Sequence, residues 1–314
     1  MSTHQGETGA ALPKNLFGYE VLDYIGQGAG SRIYVVSDPK TRQLYALKHV
    51  TCKTDKDHRF IEQLEAEFEV GRKVADPGLR KVLEFKSNKS FLRKASEACL
   101  LMELFDGQPL ETHRPESIRR VVDIFIKVSK AIEGLHKAGF VHCDLKPNNI
   151  MLGGTGVVKV IDLGQTCPIG TVKERIQGTP DYISPEQVHC LAVSPKTDVY
   201  NFGATLYWAL TGTNMPTLFT LKKGENSLMS DDLLKTPAQI NPRVPEPLSN
   251  LVMECVRIKA EKRPEQADVT RRLEIMLFGL ERAAMQKQQA VQQAAQAQRV
   301  MPPPAASATR YAAV

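Results

Sequence analysis

Paired cysteine motifs, long apolar runs and a strong charge surplus are all missing from this sequence. The six cysteines, Cys52, Cys99, Cys143, Cys167, Cys190 and Cys255, are scattered, with no C-x-x-C pair and no histidine cluster beside them. That spacing indicates neither a zinc site nor a disulfide framework, and reduced thiols in a cytosolic enzyme are expected. No stretch reaches about 18 consecutive apolar residues, the length a membrane-spanning helix needs. The opening MSTHQGETGAALPKN has no charged region followed by an apolar one, so no export signal is read. A soluble, cytoplasmic chain without a membrane span is expected. Lys+Arg at 41 exceed Asp+Glu at 35 only mildly, for a formal charge of +6, so nucleic-acid binding is not indicated. No internal repeat is evident.

What is present is the material of a globular fold: 314 residues, 42% of them hydrophobic, enough for one large domain or two ordinary ones. Residues 1–15 are polar and Gly-rich and are expected to form a flexible leader. Residues 283–314 form a Gln/Ala/Pro-rich tail, helical in part until Pro302 to Pro304 end any helix. Between these ends, YEVLDYIGQG, SRIYVVSDPKTRQLYALKHV and ACLLMELF are short alternating apolar runs separated by turn residues, the pattern of hairpin strands. They are interrupted by DHRFIEQLEAEFEVGRKVAD, where Ile61, Leu64, Phe68 and Val74 recur at roughly helical spacing. After residue 110 the pattern becomes mainly helical, as in SIRRVVDIFIKVSKAIEGLHKAG and DVYNFGATLYWALTG. The expectation is an α+β domain over 16–282, with a small β-rich lobe to about 105 and a larger helical lobe from about 106.

Chemistry enters with Gly26-Gln27-Gly28-Ala29-Gly30-Ser31-Arg32-Ile33, a Gly-rich turn between two predicted strands. Glycines let backbone N–H groups approach phosphate oxygens that a Cβ would hold off. A dinucleotide-binding loop would open a helix, whereas this one leads into a strand. The strand of Tyr45-Ala46-Leu47-Lys48 ends in a lysine. Held by a carboxylate from the following helix, that lysine would present a fixed positive charge to nucleotide phosphates. Glu67 is the chosen partner, with Glu62, Glu65 and Glu69 as rivals.

The segment Val141-His142-Cys143-Asp144-Leu145-Lys146-Pro147-Asn148-Asn149-Ile150-Met151, followed by Val160-Ile161-Asp162-Leu163-Gly164, resembles the protein kinase family. That family's catalytic loop reads H-R-D-L-K-P-x-N and its metal-binding motif D-F-G. The resemblance implies that Asp144 is the base that orients the substrate hydroxyl, that Lys146 stabilises the transferring phosphoryl, and that Asn149 and Asp162 ligate Mg²⁺, with Mn²⁺ a possible substitute. It continues through GTPDYISPE at 178–186, with Ser184 where Ala is usual. Lys146 together with Thr179 resembles the Ser/Thr class, which implies protein substrates bearing serine or threonine. The ATP-binding set implied is Ile25, Gly26, Gln27, Gly28, Ile33, Ala46, Lys48, Glu67, Met102, Glu103, Phe105 and Met151. Ala46, Ile33 and Met151 would sandwich the adenine, Glu103 and Phe105 would hydrogen-bond it through their backbones, and Met102 would back the pocket. Asp198 resembles the buried Asp that ties down the catalytic loop, and Arg263 the Arg that pairs with Glu186.

Besides Ser184 for Ala and Ile33 for the Val after the loop, the sequence departs from the family pattern elsewhere. Ser31 replaces the third glycine of the loop, Gly71 stands where a bulky apolar residue is usual, and Cys143 replaces the Arg that in many kinases pairs with a phosphorylated activation loop. The last change removes the cation a loop phosphate would need, so activity without phosphorylation at Thr166 or Thr171 is expected. Two other readings stand beside the kinase: a nucleotide-binding scaffold without turnover, and a small-molecule phosphotransferase, which would not be expected to carry GTPDYISPE and Arg263. Substrate docking is expected in TNMPTLFTLKKGENSLMSDDLLK at 213–235.

Overall fold

The computed structural model describes residues 12–28, 30–89, 94–220 and 234–300, the side chains of 291 and 294–300 excepted. Most of the expected leader, Ala29 in the Gly-rich turn, residues 221–233 of the expected docking stretch and the tail beyond Val300 lie outside the described residues.

The first lobe is built on alternation. Strands β1 (Asn15–Leu16), β2 (Tyr19–Gly28), β3 (Ser31–Ser37), β4 (Leu44–Thr51), β5 (Val82–Ser87) and β6 (Glu97–Glu103) form one antiparallel sheet in the order β1-β2-β3-β4-β6-β5. Successive side chains point to opposite faces, so each strand serves two cores. Tyr34, Val36, Leu47, Cys99 and Leu101 pack with Leu16 and Tyr19. Ala46, Val50, Ala98, Leu100 and Met102 pack with Ile61 and Leu64 of helix α1 (His58–Lys73). Lys48 shares the parity of Ala46 and Val50, so it must face α1. On that helix the buried residues are Ile61, Leu64, Glu67 and Val70, every third position, which puts Glu67 on the buried face and leaves Glu62, Glu65 and Glu69 off it.

Gly71 has a packing reason, for a Cβ there would meet Val82 of β5 at 2.6 Å. Asn15, the last residue of the expected leader, pairs with Glu20.

The second lobe is mainly helical. Its elements are β7 (Gly107–Pro109), α2 (Ile118–Lys137), β8 (Phe140–Val141), β9 (Ile150–Gly153), β10 (Val158–Val160), β11 (Cys167–Pro168), α3 (Pro185–Val188), α4 (Pro195–Thr211), α5 (Pro237–Ile240), α6 (Glu246–Cys255) and α7 (Gln266–Val300). Helix α4 is buried almost throughout and forms the centre, with Phe202 set edge-on to Phe125 of α2 at 5.3 Å. Ser194 caps its start and Pro195 occupies its first turn, while Gly212 ends it at φ 78°, a conformation glycine adopts without a Cβ penalty. Helix α7 packs on α2 and runs unbroken past position 282, where the domain was expected to give way to the tail.

Candidate active site

A cleft of about 490 Å³ lies between the lobes. Ile25, Gly26, Gln27, Gly28, Ile33 and Lys48 line it from the sheet, Glu67 from α1, Met102 from β6, Phe105 from the connection between β6 and β7, and Asp144, Lys146, Asn149, Met151 and Asp162 from the helical lobe. Three named residues lie off its surface. Ala46 is fully buried in the cluster between sheet and α1 that it shares with Met102. The Glu103 side chain turns to Lys159 Nζ (2.6 Å) and the Lys81 N–H (2.8 Å). Thr179 joins the site through Asp144 rather than through the cavity wall. A larger hollow of about 660 Å³ on the outer side of the Gly-rich turn holds neither Asp144 nor Asp162.

Lys48 Nζ donates to Glu67 Oε2 at 2.7 Å and to Asp162 Oδ1 at 2.8 Å. The Leu163 N–H donates to Glu67 Oε1 at 3.3 Å, tying α1 to the loop after Asp162. Burial disfavours the Lys48 charge, but the two carboxylates outweigh it and hold the ammonium above its ordinary range. Burial also works against the Asp162 charge; Lys48 overrides it and holds the carboxyl down to about 2. Glu67, more deeply enclosed, is pushed up by burial despite Lys48. Asp162 holds φ 64°, a left-handed backbone conformation uncommon outside glycine that clusters at functional sites.

The Asp144 loop is fixed from beneath by Asp198, fully buried in the first turn of α4. Its carboxylate accepts the backbone N–H groups of His142 and Cys143 and lies 2.8 Å from His136 Nε2, with both N–H bonds also at 2.8 Å. Burial opposes that charge, and the His136 bond and charge more than offset it, keeping the carboxyl below its ordinary range. Held this way, Asp144 accepts from Lys146 Nζ at 2.8 Å and from Thr179 Oγ1 at 2.7 Å, while Lys146 also donates to Thr179 Oγ1 at 2.8 Å. Asn149 Nδ2 donates to the Asp144 carbonyl at 2.8 Å, which commits the amide N–H and leaves its oxygen for another partner.

The segment carrying Thr179 is anchored in turn. Arg263 Nη1 and Nη2 clasp Glu186 at 2.7 and 3.0 Å, and Gln187 Nε2 donates to the Cys143 carbonyl at 2.7 Å. Ser184, the departure from Ala, opens α3 by donating its N–H and its hydroxyl to Gln187 Oε1 at 3.1 and 3.0 Å. Cys143, at φ 64°, fills an apolar pocket with Val141 and Val193 instead of reaching for a loop phosphate.

The cleft also holds residues outside the expected set, Arg80 among them. Arg80 is only 8% exposed, lines the cleft with Met102 and Glu67, and its Nε has no hydrogen-bond partner. Burial lowers its affinity for the proton, opposed by Glu67, Glu103 and Asp162. The available signal was a lone arginine in GLRKVLEF leading into an apolar strand.

A family model described as the protein kinase domain matches residues 19–273. Among curated relatives, the chain is 24% identical to a probable serine/threonine-protein kinase of Clostridium acetobutylicum over 263 residues, covering 80% of this chain and 38% of that protein. It is 30% identical over 203 residues to the serine/threonine-protein kinase PknA of Mycobacterium tuberculosis, 62% of this chain and 47% of that one. With the serine/threonine-protein kinase PknD of Chlamydia pneumoniae the figures are 26% over 276 residues, 78% and 29%. The chain thus spans less than half the length of each of these relatives.

Proposed function

The chain belongs to the protein kinase family, and from that premise we propose that it transfers the γ-phosphoryl of ATP to serine and threonine hydroxyls of proteins, its own included. The observation that carries this reading is the joint hold of Lys146 and Thr179 on the Asp144 carboxylate, facing across the cleft the Lys48 ion pairs with Glu67 and Asp162.

The donor set suits a nucleotide-bound divalent ion better than a resident one. Among the described residues no group of three or more His, Cys, Asp or Glu side chains converges to hold a metal. Asn149 and Asp162 would contribute one amide and one carboxylate oxygen, the sparse protein share typical of Mg²⁺ whose other ligands are phosphate and water. Mg²⁺ is the proposed ion and Mn²⁺ its substitute. When bound, it neutralises charge building on the transferred phosphoryl.

The protein's own groups supply the rest. Lys48, fixed by Glu67, presents a cation to the α and β phosphates. Asp144 orients the acceptor hydroxyl and receives its proton, and Lys146 offsets charge on the transferred group. Thr179 aligns Asp144 from the side of the incoming peptide. Every polar position of this set is filled, so no observation favours a scaffold without turnover. The reading is tested by incubating the full chain with γ-labelled ATP and a generic basic protein under Mg²⁺ or Mn²⁺, then hydrolysing the products to phosphoamino acids. Phosphoserine and phosphothreonine in both metals are expected; phosphotyrosine alone, or no labelled protein beside intact ATP binding, would overturn it.

A further inference from the structure

Two cysteines that sequence spacing leaves 24 residues apart meet beside the Asp144 loop: Cys143 Sγ and Cys167 Sγ are 3.9 Å apart. They meet because β11 pairs with β8, Cys167 opposite Val141, so the chain leaving β8 passes the Cys167 side chain. The setting suits a reactive pair more than two inert core thiols. Cys143 is 1% exposed among Val141 and Val193, whereas Cys167 lies at the edge of that cluster, partly open to solvent. Cys99 and Cys255, by contrast, are buried singly.

We propose that Cys143 and Cys167 form a redox modification site, in which a peroxide oxidises Cys167 and Cys143 resolves it to an intramolecular disulfide. In the first step the Cys167 thiolate attacks one peroxide oxygen, the O–O bond breaks, and hydroxide leaves, giving Cys167–SOH. In the second the Cys143 sulfur attacks the Cys167 sulfur, the S–O bond breaks, and the departing hydroxide takes the Cys143 proton as water. Two thiols lose two electrons and the peroxide gains them. The division of roles follows the environment. The hydrogen bond with Cys143 lowers the Cys167 thiol most, and the Lys173 charge adds to this against burial and the Asp198 charge, holding it down to about 7. Burial and the same hydrogen bond push Cys143 the other way.

The bond would join the residue preceding Asp144 to the start of the segment that carries Thr179. The Cys143 backbone is pinned by its N–H to Asp198 (2.8 Å) and by its carbonyl to Gln187 (2.7 Å), so β11 takes up the closing movement. The disulfide therefore fastens the 167–176 stretch to the loop, a covalent link where the absent Arg would have offered a charged one.

The test needs no phosphoryl transfer, so it stands apart from the proposed activity. The full chain is treated with hydrogen peroxide, quenched with catalase, alkylated, and digested without reductant for mass spectrometry. The expected result is a linked Cys143–Cys167 peptide pair that disappears with dithiothreitol. It should form about tenfold faster than oxidation of Cys52 or Cys190, the other partly open thiols. Trypsin cleavage after Lys173 and Arg175 should slow in the oxidised form. Cys167→Ser should abolish the link, and Cys143→Ser should leave a Cys167 sulfenic acid that dimedone traps; if Cys143→Ser does not fold, the wild type and Cys167→Ser decide alone. Both thiols alkylated after peroxide, or Cys167 linked to another cysteine, would overturn the proposal.

Discussion

Lys48 answers to two carboxylates at once, and Arg80 stands behind them as a second buried cation whose Nε has no partner. Once Lys48 turns toward phosphates, Arg80 remains as a positive charge near Glu67 and Asp162, with Lys146 also near Asp162. At an effective dielectric near 20, a charge some 8 Å from a phosphate is worth about 2 kcal/mol at most. Arg80→Met should therefore weaken ATP binding by about tenfold and leave adenosine binding unchanged, with Arg80→Lys recovering most of the loss; titration of fluorescent nucleotide and adenosine competition measure both. Equal weakening of adenosine would mean that Arg80 serves packing only. Single residues were legible unevenly. Asp144, Asn149 and Asp162 stand in a recognisable order of polar residues, and parity along β4 with periodicity along α1 selects Lys48 and Glu67. Arg80 and the meeting of Cys143 with Cys167 follow from tertiary contacts that no local pattern encodes.

Among the elements, the segment from Asp162 to Glu186 carries the most consequence. Thr166 is 7% exposed and its hydroxyl is enclosed without a partner, while Thr171 Oγ1 already donates to the Pro168 carbonyl at 2.7 Å. Neither faces a cation from Cys143, so Thr166→Ala and Thr171→Ala should each keep phosphoryl transfer within about twofold, because no charge-assisted contact is lost. Thr179→Ala should lower it by at least about tenfold, since displacing an aligned carboxylate by a fraction of an ångström is costly. Initial rates at saturating ATP distinguish these outcomes. The far end of the segment rests on the Glu186–Arg263 clasp, whose arginine is almost fully buried. Arg263→Met leaves a buried carboxylate uncompensated and should cost about 3–5 kcal/mol, read as a lowered urea midpoint, whereas Glu186→Gln with Arg263→Met should recover part of that loss.

For the whole molecule, the α+β division into a sheet lobe and a helical lobe was readable from where alternation gives way to helical spacing. The two-residue strand at Asn15–Leu16 leaves too faint a pattern to be read, and the composition shift near position 283 does not coincide with an end of α7, which runs on to Val300. Stability should depend on pH through the carboxylates held away from their ordinary range. Asp162, Asp198 and Glu186 lie below their ordinary range, so the stability they contribute is present above about pH 4, near the unfolded values, and is lost as the pH falls through the lower folded ones. Glu67 runs the other way, since its raised folded value means that protonation relieves a cost. With three groups against one, urea midpoints should hold steady from neutral pH to about 5 and decline below about 4; a rise on acidification would show Glu67 dominating.

The most direct measurement compares wild type with Asp144→Asn, following labelled γ-phosphate transfer to a basic protein and nucleotide affinity in parallel. Asn keeps the shape and can accept through its one oxygen from Lys146 or Thr179, but its amide nitrogen accepts nothing and it cannot take the acceptor's proton. The account predicts unchanged ATP affinity and a fall in transfer of at least about a hundredfold, the lower range of a general base's contribution. Transfer that persists in Asp144→Asn at the wild-type rate would contradict it.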